Sequence, residues 1–328
     1  MSYDLHALRR AEFPWADRGD AIYLNHASTG PLPACAAAAV GEWAARRTQP
    51  WRIADDALFA TLARTRALVA ALIGAEPGEI ACMPNTSYGL NLAARALPLG
   101  PGDVVVTFDG EFPANVYPWM ALADRGVRLE LVPLGPDGLP DEPALLAALE
   151  RPEVRACTVS WVQFATGYAC DLAAIGARCR ALGKWFVVDA IQGLGPRTLD
   201  VRACHADLLA CGAQKWLLGP WGSGFLYVRR ELVQQLRPTA VGWLAVRGAD
   251  SFARLTDYDP TLRDDARRFE VLTLPFHDFA GMNASLELIH ALGPAGVAAH
   301  VATLADQVVA WAAGRDDVAL VTPADAAR

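Results

Sequence analysis

The sequence predicts an α/β fold, a mostly parallel central sheet with helices on both faces, followed by a smaller C-terminal α-rich or α+β region that looks shortened. Three observations predict it. Short apolar runs rich in valine, leucine and aromatic residues alternate with helical stretches along the first 230 or so residues. Most of these runs are continuously hydrophobic rather than alternating, the pattern of strands buried on both faces. The chain of 328 residues is 53% hydrophobic, which suits a sizeable core in one large domain with an appendage.

The runs expected to be strands are DVVVTF (103–108), VRLELVPL (127–134), VRACTVSWV (154–162), KWFVVDA (184–190), DLLACGA (207–213) and GFLYVRR (224–230). Between them, DEPALLAALE (141–150) and DLAAIGARCRALG (171–183) read as helices, the second opening on an aspartate cap and closing at Gly183. After residue 235 the texture turns irregular and then helical, in GMNASLELIHALG (281–293) and AGVAAHVATLADQVVAWAAG (295–314). The expected division is an N-terminal arm (1–20), a large domain (21–250) and a small C-terminal domain (251–328) that ends early.

Composition narrows the function classes. The net charge is −7 and the arginines are scattered as singles and pairs, so no basic stripe marks a nucleic-acid partner. The opening MSYDLHALRRAEFPWADRGD is polar, and no later stretch approaches 18 consecutive apolar residues. A cytoplasmic protein with no membrane partner is expected. Seven cysteines, odd in number and well separated, show neither a disulfide framework nor metal-ligand spacing. Cys211, four residues before a lysine, is the one with a possible chemical role.

In open α/β sheets ligands collect at the carboxyl ends of strands, and three such places carry polar chemistry. In CMPNTSYGLNLAARAL (82–97) a turn with Asn85, Thr86 and Ser87 leads into an amphipathic helix. Its free N–H groups, dipole and hydroxyls suit a phosphate, and an ordinary Thr/Ser cap is the competing reading. In VVDAIQG (187–193), Asp189 ends a very apolar strand and Gln192 follows three residues on. A carboxylate there needs a cationic or hydrogen-bonding partner, such as a protonated pyridine nitrogen, with Gln192 reaching a neighbouring ring oxygen; a helix-capping aspartate is the alternative. In CGAQKWLLGPWGSGFLYV (211–228), Lys215 follows a strand and precedes a glycine-rich turn.

Lys215 is one of only two lysines against 27 arginines. An amine among Trp216, Leu217 and Leu218 has its ammonium form disfavoured and becomes a carbonyl nucleophile, which a guanidinium cannot be. The other lysine, Lys184, precedes a strand and is expected at the surface. A phosphate site, a buried Asp with a Gln, and a reactive lysine are together the handles that pyridoxal phosphate requires.

In their order and spacing these motifs resemble the fold-type I, class V aminotransferase family, close to its isopenicillin-N-epimerase-like and cysteine-desulfurase-like branches. The resemblance runs from IYLNHASTGPLP (22–33) to FEVLTLPFHDFAGMNASLEL (269–288). It implies that Lys215 forms the Schiff base with pyridoxal 5'-phosphate, that Asp189 partners the pyridinium nitrogen, and that Gln192 contacts the ring hydroxyl. Thr86 and Ser87 match the phosphate-binding pair, and Phe112, in GEFPANVYPW (110–119), takes the place of the aromatic stacked on the cofactor, a histidine in desulfurases. Thr273 matches the threonine lent to the phosphate of a neighbouring subunit, which implies a homodimer. Asn25 and His26 lie where the N-terminal segment approaches substrate; a structural hydrogen-bonding role for His26 stays open.

Three departures accompany the resemblance. Gln214 stands where desulfurases have a histidine before the lysine and is a candidate phosphate ligand. Phe164 stands where many members have an asparagine near the ring hydroxyl, leaving Gln163 or Thr166 as weaker candidates for that place, with Gln163 also a candidate substrate contact. The chain ends at Arg328, before the expected carboxylate-gripping arginine and the desulfurase loop cysteine. The resulting expectation is an enzyme in which an amino acid displaces Lys215 from the cofactor and the freed amine removes the Cα proton. Lyase, rearrangement or epimerase chemistry is favoured over persulfide-forming desulfuration, with transamination, kynureninase-like hydrolysis or a non-catalytic cofactor-binding scaffold as alternatives. A nucleotide-binding Rossmann protein fits poorly, since no G-x-G-x-x-G follows the first strand.

Overall fold

In the computed structural model, which describes residues 4–271 and 273–325, the apolar runs form one seven-stranded sheet. Its strands are β1 (Ile80–Met83), β2 (Val104–Phe108), β3 (Arg128–Val132), β4 (Val154–Ser160), β5 (Trp185–Asp189), β6 (Leu208–Gly212) and β7 (Gly224–Val228). Their spatial order is β1-β7-β6-β5-β4-β2-β3. Neighbours from β3 across to β6 are parallel, whereas β7 is antiparallel to both β6 and β1. Every strand except β7 therefore ends at the same edge, and the turns after β1, β2, β4, β5 and β6 are gathered there.

Successive side chains serve opposite faces of the sheet. Val104, Val106 and Phe108 enter one apolar core, covered by helices Asp55–Ile73 and Leu172–Ala181, while Val105 enters a second, covered by helix Thr86–Ala96. Each buried Val, Leu or Phe contributes about 1.5–3 kcal/mol of transfer free energy, so both faces of these strands favour apolar residues throughout. Gly89 lets helix Thr86–Ala96 lie close on the sheet, because a Cβ there would come within 2.9 Å of the Ala210 Cβ in β6. That approach sets the helix N-terminus beside the end of β6.

Strand β1 had no counterpart among the expected runs. Its four residues, IACM, are a short run with only one β-branched member and become a strand by pairing with β7. β3 lies at the sheet edge and is only partly buried. The C-terminal helices are Phe276–Leu292, which starts five residues earlier than its periodicity suggested, and Pro294–Ala313. The first packs against helices Ala34–Arg47 and Asp55–Ile73. The segment leading to it is pinned by Glu270, which accepts from both Nε and Nη2 of Arg66 and from the backbone N–H of Cys82. Among the described residues no single helix is long and apolar enough to cross a membrane.

Lys184 differs from the expected surface residue. It is buried, and its ammonium donates to the carbonyls of Arg151, at 3.0 Å, and Val154. Burial lowers its pKa. A compact ammonium with three donors satisfies two backbone oxygens at the start of β4, a geometry that the flat guanidinium fork matches poorly. The second lysine is thus kept for carbonyl capping.

Candidate active site at the carboxyl edge of the sheet

Lys215 sits in the turn that leaves β6. The turn is closed by hydrogen bonds from Leu218 N–H to the Lys215 carbonyl at 3.2 Å and from Gly219 N–H to the Ala213 carbonyl at 2.8 Å. Leu218 adopts a left-handed conformation, φ 55°, that L-residues hold only when surroundings enforce it. Ser285, on helix Phe276–Leu292, supplies one restraint by donating its hydroxyl to the Leu218 carbonyl at 2.6 Å. The N-terminal segment supplies another: Gly30 N–H donates to the Gln214 carbonyl at 2.9 Å, so closely that a Cβ on Gly30 would lie 1.9 Å from the Lys215 carbonyl oxygen. The turn that carries the amine is therefore braced from both sides.

The Lys215 side chain is half-buried, and its pKa is lowered by that burial against the opposing charge of Asp189. Asp189 is buried at the end of β5. Burial pushes its carboxyl up to about 6, although the Ile191 N–H, which donates to Oδ1 at 3.0 Å, and the Lys215 ammonium both favour the anion. Two groups of opposite charge, each desolvated, thus face the same space with pKa values displaced toward their neutral forms. Such a pair marks a functional site more often than a structural one.

Thr86 begins its helix and is buried, accepting on Oγ1 from the Gly212 N–H at 2.8 Å. Its own hydroxyl proton remains to be donated. Ser87, next in the helix, is exposed, and Asn85 caps the helix by accepting from the Tyr88 N–H at 2.9 Å. Among the described residues the buried Oε1 of Gln214 has no hydrogen-bond partner, and it faces Gly212, where an added Cβ would meet it at 2.4 Å and the Thr86 hydroxyl at 3.3 Å. A half-turn of that amide presents its NH2 to the same place. The helix N-terminus, two hydroxyls and an unsatisfied amide fit a phosphate, Asp189 fits a ring nitrogen, and Lys215 fits an aldehyde. The residues present fit pyridoxal phosphate.

Phe112 follows β2 and is 43% exposed, its ring centroid 5.5 Å from the Lys215 Nζ. It meets Phe164, 47% exposed, edge to face with centroids 5.3 Å apart. An aromatic wall therefore stands beside the amine. Behind it lies Glu111, which the sequence reading passed over. It is buried, and it accepts from Ser160 N–H at 2.7 Å, from the Ser160 hydroxyl and from the Gln163 amide at 3.1 Å. Gln163 is buried with its amide turned to Glu111, and the Thr166 hydroxyl accepts from the Tyr168 N–H at 3.2 Å. The only sequence signal for Glu111 is an acidic residue next to the expected aromatic at the end of a strand.

Gln192 donates to the Ala27 carbonyl at 2.9 Å and accepts from the Trp216 indole at 3.0 Å, tying the N-terminal segment to the lysine turn. One of its N–H groups remains for another contact. His26 stacks on Trp216 with centroids 5.4 Å apart, and burial lowers its pKa. Asn25 is exposed, and its carbonyl accepts from the Tyr23 hydroxyl at 3.0 Å. Thr273 is exposed and accepts from the Trp243 indole at 3.3 Å. Cys211 is wholly buried in β6, its thiol donating to the Gly212 carbonyl at 3.4 Å and its pKa pushed well up by burial. It is sealed beneath the site and offers no nucleophile.

The aminotransferase class V family model matches residues 22–328. A protein of Methanothermobacter thermautotrophicus named "Probable cysteine desulfurase" is 30% identical over 305 residues, covering 91% of this chain and 74% of that protein. The cysteine desulfurase of Dickeya dadantii is 32% identical over 240 residues, covering 72% of this chain and 57% of that protein. The chain spans 74% of the length of the first of these relatives and 57% of the second. Among solved structures it is similar to the apo cysteine desulfurase of Thermococcus onnurineus NA1, with a TM-score of 0.80, 25% identity, and 94% of this chain and 76% of that one covered. It is also similar to the cystine C–S lyase C-DES in complex with its reaction product cysteine persulfide, with a TM-score of 0.75, 27% identity and coverage of 83% and 72%. These likenesses overturn the expectation that persulfide-forming desulfuration is disfavoured. That expectation weighed the absence of the desulfurase histidine and of a visible loop cysteine, whereas Lys215, Asp189 and Thr86 are all held together at one edge of the sheet.

Proposed function

Because the chain belongs to the class V aminotransferase family of pyridoxal-phosphate-dependent enzymes, we propose that it desulfurates cysteine or a closely related cysteine derivative. The observation that carries this reading is the single half-buried amine of Lys215, braced on two sides, electrostatically linked to buried Asp189 and faced by Phe112, in a chain with several relatives named for cysteine desulfuration. When bound, pyridoxal phosphate supplies an electron-withdrawing ring that stabilises negative charge at the substrate Cα. Thr86, Ser87 and the helix N-terminus would hold its phosphate. Asp189 would hold the proton on the ring nitrogen, and Phe112 would pack on the ring face. Lys215, with its ammonium destabilised by burial, exchanges a proton with Cα as general base and acid.

Cys211, sealed in β6, does not take the sulfur, which passes to another thiol. Cysteine and an acceptor thiol then give alanine and a persulfide, which a reductant releases as sulfide. The test is a reaction of the cofactor-loaded protein with L-cysteine and dithiothreitol, followed by quantification of alanine, pyruvate and sulfide. Alanine and sulfide in equal amounts are expected; pyruvate with ammonia in place of alanine overturns the reading.

The same reading makes the protein a homodimer in which Thr273 reaches the neighbouring cofactor. It is supported by the exposure of Thr273 and by apolar side chains left in water, Ile22 at 92%, Leu24 at 87% and Trp221 at 69% exposure. Sedimentation equilibrium is expected to return twice the 35.1 kDa chain mass; a monomer at micromolar concentration excludes the shared site.

A further inference from the structure

The two loops that form the aromatic wall are far apart in sequence and, among the described residues, share no backbone pairing, yet their rings meet. One loop runs from the end of β2 through Glu111, Phe112 and Asn115; the other runs from the end of β4 through Gln163 and Phe164. The buried carboxylate of Glu111 joins them. Its Oε1 accepts from the Ser160 N–H at 2.7 Å and from the Gln163 amide at 3.1 Å, and its Oε2 is bonded to the Ser160 hydroxyl. The next residue after Glu111 is Phe112, and the next after Gln163 is Phe164. A second tie lies on the other side of Phe112: Asn115 is buried and accepts on Oδ1 from the Thr158 hydroxyl at 2.6 Å. Phe112 is thus held between two side chains that are both fastened to β4.

We propose that Glu111 is a positioning residue of the active site, the clamp that holds the loops of Phe112 and Phe164 together so that the aromatic wall stands beside Lys215. The proposal rests on the reading that pyridoxal phosphate packs against that wall, and not on which amino acid is turned over. Burial pushes the Glu111 carboxyl up to about 7 against the bonds from Ser160, with the Asp189 charge adding to the push. A carboxyl that shares its site with Asp189 clamps in its neutral form as well as in its charged form, because a protonated oxygen still bonds the Ser160 hydroxyl while the other accepts from Ser160 and Gln163. An amide of the same shape keeps one acceptor oxygen for Ser160 and Gln163 and sets an NH2, with one of its two N–H groups, against the Ser160 hydroxyl. Glutamine at this position should therefore preserve the clamp, and alanine should release it.

The experiment compares Glu111→Gln, Glu111→Ala, Phe112→Leu and the double variant Glu111→Ala/Phe112→Leu, each reconstituted with pyridoxal phosphate. Two quantities are read, the cofactor dissociation constant and the visible-range circular dichroism per bound cofactor, which reports the asymmetry of the ring's surroundings. Glu111→Gln is expected to match wild type in both. Glu111→Ala is expected to weaken binding at least about twofold, the lower end of coupling between contacting residues, and to lower the dichroism as Phe112→Leu does. In the double variant the losses should not add, since Glu111 acts through Phe112. Wild-type values for Glu111→Ala, additive losses, or a Glu111→Gln variant as impaired as Glu111→Ala each overturn the proposal. Should Glu111→Ala fail to fold, Gln163→Met cuts only the tie to the second loop and decides the question: reduced dichroism supports the clamp and an unchanged signal refutes it. Neither readout depends on desulfuration, so a wrong substrate leaves this test intact.

Discussion

Replacing Lys215 with alanine is expected to remove the covalent adduct that borohydride fixes between the chain and pyridoxal phosphate, and to reduce amino-acid turnover by about 10²–10⁴-fold or more, the worth of a positioned general base. The expected site of the adduct is unambiguous, because the only other lysine has its ammonium committed to the carbonyls of Arg151 and Val154. Peptide mass mapping of the reduced protein checks it directly. Wild type should carry one modification, on the peptide containing Lys215, and the variant should carry none. Lys215→Arg should behave like the alanine variant although it keeps the charge, since a guanidinium stays protonated and is no carbonyl nucleophile. An adduct on Lys184, or one that survives in the variant, would mean that the turn after β6 is not the reactive centre.

Asp189→Asn is expected to act in opposite directions on function and on stability. The carboxylate is buried at the end of β5, and its pKa is pushed up to about 6 by that burial. Without its cofactor partner, an acid whose folded pKa lies above its unfolded value favours the folded state only while protonated. That contribution is fully present below about pH 4 and is lost as pH rises through about 6, a change on the order of 2–3 kcal/mol for a shift of this size. At pH 7 the cofactor-free protein therefore carries an unfavourable buried anion. Asparagine keeps an acceptor for the Ile191 N–H and carries no charge, so the cofactor-free variant should melt at a higher temperature than wild type at pH 7, and the difference should shrink toward pH 4. The loaded variant should turn over substrate about 10- to 100-fold more slowly, the value of a hydrogen bond to a charged group. Melting curves at the two pH values, read beside steady-state rates, test both halves. A cofactor-free variant less stable than wild type at pH 7 would show that Asp189 serves the fold rather than the cofactor. The expected trade is the usual one for a site that stores unfavourable charge until its ligand arrives.

The elements most legible in the sequence are those whose signals are local. Continuous apolar runs such as VVVTF and WFVVD identify strands because burial on both faces demands apolar residues at consecutive positions. Lys215, Asp189 and Thr86 stand out because an amine, an acid and a hydroxyl at strand ends or helix starts are unusual against such surroundings. The family resemblance adds an order to these residues. It led astray on the reaction, where the absence of the desulfurase histidine and of a visible loop cysteine outweighed the retained core. β1 escaped notice because its four residues become a strand only through their pairing with β7, more than 140 positions later.

By itself, the sequence determined the class of fold, the cofactor and the edge of the sheet where polar residues gather, because hydrophobic period, turn residues and the chemistry of a lone amine are properties of short stretches of chain. Only the tertiary structure decided what Glu111, Gln192 and Lys184 do. Glu111 meets Ser160 and Gln163 about fifty residues away, Gln192 joins Ala27 to Trp216, and Lys184 finds the carbonyls of Arg151 and Val154. A buried polar group must be hydrogen-bonded, but sequence cannot say by whom. The partner is chosen by the packing of the sheet, which brings distant loops to one edge and leaves each buried donor or acceptor only the neighbours it finds there.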